Sequence, residues 1–144
     1  MIDGLPKPTG VARDFLESLP ADCTADQKHS LLAAIDGMPV ALIDLIAFYP
    51  TRRYAFIGLF AVDDSRQLLG LGTQIFHALE GYCRSSLMVE ALRLAVATHN
   101  PAKSFWKRMG FVETGIERNY HGEARSGTLA VMDKRLGFDF NGEG

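Results

Sequence analysis

The run Gln67-Leu68-Leu69-Gly70-Leu71-Gly72 lies between an apolar stretch, Tyr54 to Val62, and a stretch with helical periodicity. A helix N-terminus carries backbone N–H groups without helical partners and the positive end of the helix dipole, so it suits an anion. Glycines let the backbone approach that anion where a Cβ would collide. The glycines alone do not separate such a cradle from a tight strand-to-helix turn that binds nothing. A P-loop is excluded, because no Gly-Lys-Ser/Thr follows at the required spacing. A dinucleotide fingerprint fails as well, since Gly72 is followed by Thr73-Gln74-Ile75 with no third small residue. The spacing that remains is Gln-x-x-Gly-x-Gly.

Other residues with chemical potential are scattered. Asp44 falls on a strand face with Val40, Leu42 and Ile46, and Glu90 on one with Met88, Leu92 and Leu94. A lone carboxylate on an apolar strand face is costly unless it is paired or faces a cavity, so each sits at a sheet edge, meets an arginine or serves a substrate. His29, His77, His99 and His121 show no ligand spacing, and no metal site is expected. Cys23 and Cys83 form neither a CxxC nor a Cys/His pattern and read as reduced thiols of a cytoplasmic protein. Lys103, Lys107 and Arg108 either meet phosphates or make the solvated face of a helix.

The elements that position these residues follow from periodicity. Val11, Ala12, Phe15, Leu16 and Leu19 recur at helical spacing after Thr9, and Pro20 ends the run. A polar loop with one helical turn covers residues 21–28. Ser30 to Ile35, the turn pair Asp36-Gly37 and Met38 to Phe48 read as a β-hairpin. Tyr54 to Val62, apolar on both faces, is expected mid-sheet. A helix from about Leu71 to Arg84, a strand from Leu87 to Ala97, a helix from Asn100-Pro101 to Gly110, and strands over Phe111 to Tyr120 and Thr128 to Leu136 complete the order. Phe48, Phe56, Phe60 and Phe76 fall at core spacing. This is a mixed sheet with helices on its faces, in one domain spanning residues 1–144 with a loose tail over residues 137–144.

Composition agrees with that class. The 144 residues are 47% apolar and 22% charged, which sets disorder and fibrous repeats aside. Fifteen Lys plus Arg against 17 Asp plus Glu argue against broad capture of nucleic acid. The longest apolar stretch, Met38 to Tyr49, is too short to span a bilayer and carries Asp44, so no membrane partner is expected.

With the Gln67-x-x-Gly70-x-Gly72 spacing followed by Leu92 to Val96, Asn100-Pro101 and a helix ending at Gly110-Phe111, the chain resembles the GCN5-related N-acetyltransferase (GNAT) superfamily. Gln67-x-x-Gly70-x-Gly72 is similar to its pyrophosphate motif, after a strand Ile57 to Asp63 similar to its fourth. Leu92 to Val96, then Asn100-Pro101 and a helix ending in Gly110-Phe111, is similar to its second conserved segment. The resemblance covers about residues 29–136. It implies an α/β (α+β) fold with a mixed, mostly antiparallel sheet of about six strands and helices on both faces. The family's first strand is not recognisable, which leaves a sheet edge open either to formation of a homodimer or to a wider acceptor pocket.

The resemblance also implies acetyl-CoA as cosubstrate and an unidentified amine as acceptor. The backbone of Phe60, Ala61 and Val62 would bind the pantetheine arm in a gap between two splayed strands. Residues Gln67, Leu68, Leu69, Gly70, Leu71, Gly72 and Thr73 would cradle the pyrophosphate. Asn100 would reach the pantetheine, and Ser104, Phe105 and Trp106 would line the thiol end. Trp106 stands where many members carry a tyrosine acid, and Phe56 where some carry a glutamate base. Tyr54, Tyr82 and Tyr120 are then the candidates for a proton donor, Tyr120 nearest the acceptor side, and Asp44 the candidate base. The implied activity is N-acetyl transfer by direct attack in a ternary complex. The alternative is a coenzyme-binding sensor of the same fold without turnover.

Overall fold

The computed structural model describes residues 23–63, 70–121 and 126–137. The helix expected over Val11 to Leu19, the segment Gln67 to Leu69 and the tail beyond Gly137 lie outside the described residues.

Six strands form one sheet: β1 (Lys28–Ile35), β2 (Met38–Ala47), β3 (Tyr54–Val62), β4 (Ala91–Ala97), β5 (Val112–His121) and β6 (Ser126–Arg135), in the order β1-β2-β3-β4-β6-β5. Every neighbouring pair is antiparallel except β3 with β4. The mixed, mostly antiparallel sheet is the one expected, with β3 inside it. Asp36 and Gly37 have φ of 52° and 80°, both left-handed. This is the two-residue turn whose twist matches the strands it joins.

Helix α1 (Leu71–Tyr82) makes the crossover that a parallel pair requires. Its buried residues Leu71, Ile75, Phe76 and Leu79 recur at helical spacing and face Ile57, Leu92, Leu94 and Met132. Helix α2 (Ala102–Arg108) joins that core through Trp106, whose ring lies 5.8 Å from Phe76 and 5.4 Å from Phe111.

Two expectations need correction. The strand expected from Leu87 begins at Ala91, because Cys83–Leu87 is a π-helical turn closed by Met88 in the left-handed region at φ 57°. Glu90 therefore precedes the strand, and its N–H donates to the Arg53 carbonyl. Its carboxylate faces Arg53 Nε at 3.8 Å rather than sharing a strand face with Leu92. Phe48 is not core: it has φ 60° at the end of β2 and is 42% exposed.

A charged group tethers α1 to the sheet. Glu80 is buried and meets Lys134 Nζ at 2.5 Å, His77 Nδ1 at 3.3 Å and Arg84 at 4.0 Å. Burial acts to raise its carboxyl, but the bonds from Lys134 and His77 outweigh it and hold the group below its usual 4.5. The folded value lies under the unfolded one, so the ionised network stabilises fully above about pH 4.5 and is lost as pH falls through the folded value. Glu80→Gln is thus expected to be less stable than the parent in urea unfolding at pH 7, with the gap shrinking at pH 3. An equal gap at both would contradict the assignment.

Candidate functional site

The β3–β4 ladder runs from Tyr54↔Ala91 to Ile57↔Leu94 and stops there, although β3 continues to Val62 and β4 to Ala97. The pairing ends where β3 is irregular. Against β2, Leu45 pairs with Ile57 but Asp44 with Leu59, so Gly58 is the extra residue of a β-bulge. A bulge bends its strand and resets which side chains face the core. Before it, Ala55 and Ile57 face inward; after it, Phe60 and Val62 do. From Gly58 on, the edge of β3 towards β4 carries no ladder bonds. Such an edge binds an extended chain bearing amides.

The gap opens onto the N-terminus of α1. Gly70 caps that helix with φ 69° and no side-chain cap, a conformation costly for any residue with a Cβ. Gly70 itself brings no side chain to the first backbone N–H groups of α1, which suit an anion. A cavity of about 360 Å³ joins the two features, lined by Phe60, Val62, Gly70, Gly72, Thr73, Ala102, Phe105, Trp106 and Arg108. A Cβ on Gly72 would touch the Phe105 ring at 3.5 Å, so the bare glycine keeps the cleft open between the two helices.

One wall of the cleft is aromatic. The Trp106 ring lies 4.9 Å from Phe105 and 5.2 Å from Phe60, and the residue is 7% exposed. Arg108 completes the wall, its guanidinium 5.9 Å from the Phe105 ring centre. Lys103 and Lys107 are engaged elsewhere, with Glu113 at 3.1 and 3.2 Å. Sequence reasoning put these three cations together; what separates Arg108 is its place one helical turn after Phe105, on the cleft face.

The cleft thus brings together Phe60, Val62, Gly70, Gly72, Thr73, Phe105 and Trp106. The Leu71 side chain points into the core, and Ala61 is exposed on the strand. Gln67, Leu68 and Leu69 lie outside the described residues. Asn100 is exposed and its Oδ1 accepts the Ala102 N–H at 2.8 Å, bracing the start of α2. Ser104 is exposed and does not line the cavity. The tyrosines are dispersed. Tyr54 lies under the Arg93 guanidinium at 4.8 Å, and the Tyr82 hydroxyl meets His29 Nδ1 at 3.0 Å. Tyr120 sits on β5 opposite Gly127, its side chain outside the described residues.

Asp44 lies on β2 beside the bulge and is fully buried. Its Oδ1 accepts from Ser30 Oγ at 3.0 Å, and Lys28 Nζ stands 3.4 Å from Oδ2. Burial raises its carboxyl above the usual 3.8, against the opposing effects of the Lys28 charge and the Ser30 hydrogen bond. Cys83, wholly buried, has its thiol pushed up to about 12 by burial and the nearby Glu80 charge, which removes it as a nucleophile. Among the described residues no group of His, Cys, Asp and Glu is placed to hold a metal, and no helix is long and apolar enough to cross a membrane.

Comparison with known proteins agrees with this arrangement. Residues 5–111 match the model of the Acetyltransferase (GNAT) family. No curated protein sequence matches the chain. Among solved structures it is similar to the ribosomal-protein-S18-alanine N-acetyltransferase from Escherichia coli, at 18% identity over 84% of this chain and 77% of that one, with a TM-score of 0.65. It is also similar to an acetyltransferase from Thermus thermophilus, at 27% identity over 78% and 67% of the two chains, with a TM-score of 0.62. Ard1 from Thermoplasma volcanium shares 27% identity over 74% and 70%, with a TM-score of 0.63. The family's model spans β3, the split between β3 and β4 and the glycine-capped start of α1, and the chain belongs to the GNAT acetyltransferase family.

Proposed function

We propose that this chain is an acetyl-CoA-dependent N-acetyltransferase that acts on a primary amine of a small molecule or protein. The observation that carries the reading is the edge of β3 beyond Ile57 that β4 leaves unpaired, which opens onto the glycine-capped N-terminus of α1. Acetyl-CoA bound there supplies an activated acyl group. The backbone of Phe60, Ala61 and Val62 would hold the pantetheine amides, and one of their N–H groups would stabilise the developing oxyanion. The N–H groups of Leu71, Gly72 and Thr73 at the start of α1 would take the pyrophosphate, with Gln67 to Gly70 preceding them. Arg108 on the cavity wall adds positive charge for a phosphate. Phe105 and Trp106 exclude water from the thiol end.

Attack is direct, without an acyl-enzyme; this is supported by the lack of a Cys/His pattern in the sequence and by Cys83, buried with its thiol pushed up to about 12. Tyr120 on β5 is the proton source proposed for the departing thiolate. The coenzyme-binding sensor is the second reading. It is favoured by Trp106, whose buried indole puts no acid at that wall. The two readings separate on one assay. Free thiol should appear when the protein, acetyl-CoA and a panel of primary amines are mixed, above the rate without protein. Coenzyme binding with no thiol release for any amine would favour the sensor.

A further inference from the structure

The sheet ends in two edge strands that differ in how they are protected. β5 is guarded: its register against β6 shifts between Glu113 and Glu117, and Gly115 turns left-handed at φ 89°. Glu113, Glu117 and Arg118 are exposed along it. Charges and irregular pairing of this kind keep an edge from recruiting a foreign strand. β1, at the other end of the sheet, is bare. From His29 to Ile35 it has no Asp, Glu, Lys, Arg or Pro. Lys28 at its start turns inward, its Nζ 3.4 Å from Asp44 Oδ2. The register shift with β2 places the extra residue, Val40, on β2 and leaves β1 regular. Among the described residues no strand pairs with the outer edge of β1, so a row of backbone N–H and C=O groups stands open there.

The surface beside that edge is uncharged as well. A groove of about 380 Å³ runs between β1 and α1, with Leu31, Ile35, Gln74, Ala78 and Tyr82 among its lining. None of the described residues lining it is charged, in a chain where 22% are. Leu32 is 37% exposed and Ile35 38%. An open hydrogen-bonding edge beside an uncharged groove takes an extended strand. Symmetry and charge say which one. When β1 meets its own copy antiparallel about a two-fold axis perpendicular to the sheet, each face stays on its own side. A residue then faces itself or one an even number of positions away. An axis through Leu32 sets Leu31 across from Ala33 of the copy, His29 across from Ile35, and Lys28 across from Asp36, opposite in charge. An axis through Leu31 would set Lys28 across from Ala34 and lose that match.

We propose that β1 is the interface of a homodimer, pairing antiparallel with β1 of a second copy about an axis through Leu32 to give one continuous sheet. Both α1 helices then lie on the same side, and the two uncharged grooves meet across the axis. The cleft at Phe60, Gly72 and Trp106 is lined from β3, α1 and α2 and includes no residue of β1, so dimerisation leaves it open.

Size-exclusion chromatography with light scattering on the full chain tests this. At about 100 μM, above the micromolar constants of weak interfaces, the parent should show twice the chain mass of 15.8 kDa. Leu32→Lys sets like charges against each other on the axis and should run at the single-chain mass, with the circular dichroism of the parent. Leu32→Glu should do the same, and an equimolar mixture of the two should return to the double mass as opposite charges meet. Ala34→Lys, at a second exposed position of the edge, should also run at the single-chain mass and keeps the proposal refutable if the Leu32 variants fail to fold. A parent at the single-chain mass, or a dimer that the charged variants keep, would overturn the interface. A mixture that stays at the single mass would overturn pairing through Leu32.

Discussion

Gly72→Leu is expected to weaken binding of acetyl-CoA by about 100-fold or more, equivalent to roughly 2.7 kcal/mol. The Cβ position of Gly72 already touches the Phe105 ring at 3.5 Å, which is ordinary contact, so Gly72→Ala should bind nearly as the parent does. The further carbons of leucine have nowhere to go except into the cleft between α1 and α2, over the first N–H groups of the helix. The backbone at this position is helical, so leucine brings no conformational penalty of its own. Folding should therefore be disturbed far less than binding. Equilibrium titration of Gly72→Ala and Gly72→Leu beside the parent separates the two effects. Equal affinity for all three would place the coenzyme elsewhere.

The largest stability effect is expected at Phe76. Its side chain is wholly buried and meets Trp106 at 5.8 Å, Phe111 at 5.7 Å and the Lys134 ammonium at 5.3 Å. It therefore joins α1, α2 and the sheet at one point. Truncation to alanine removes the buried area and leaves a cavity that neighbours anchored on α2 and the sheet do not fill. A cost of about 3–5 kcal/mol follows. For a domain of this size that lowers the melting temperature on the order of 10 °C or more. Phe76 does not line the cleft, so whatever protein remains folded should still bind coenzyme. Chemical denaturation of Phe76→Ala measures the cost. A loss under about 1 kcal/mol would mean that the ring cluster is not the keystone proposed.

Much of this architecture was legible in the sequence because it rests on local rules. Asp36-Gly37 announced a hairpin since few residue pairs accept two left-handed conformations in a row. Gly70-x-Gly72 marked the start of α1 because only there do a positive φ and a bare backbone beside Phe105 coincide. What stayed hidden depends on partners distant in sequence. Gly58 lies in a run apolar on both faces, so the bulge there changes no visible periodicity, yet it flips Phe60 and Val62 inward and ends the ladder. Leu87 to Val89 is as apolar as a strand, and only the geometry of the π turn shows that the strand starts later. Phe48 looked like core because its residue type cannot report a left-handed backbone at the end of β2. Asn100 and Ser104 came from family likeness. Here Asn100 braces α2 and Ser104 faces away, while Arg108 takes a place on the wall.

Trp106 offers a direct test of the cleft, because it is the only tryptophan in the chain and lines the cavity beside Phe60 and Phe105. Its fluorescence should change saturably as acetyl-CoA or coenzyme A is added and should not respond to NAD. At about 100 times the dissociation constant, the same ligands should stabilise the fold by roughly 2.7 kcal/mol. A saturable signal that is abolished in Gly72→Leu and kept in Gly72→Ala is the result predicted for a coenzyme held between β3, β4 and the start of α1. A flat titration, with no stabilisation by either coenzyme, would contradict the cleft assignment and the acetyl-transfer function drawn from it.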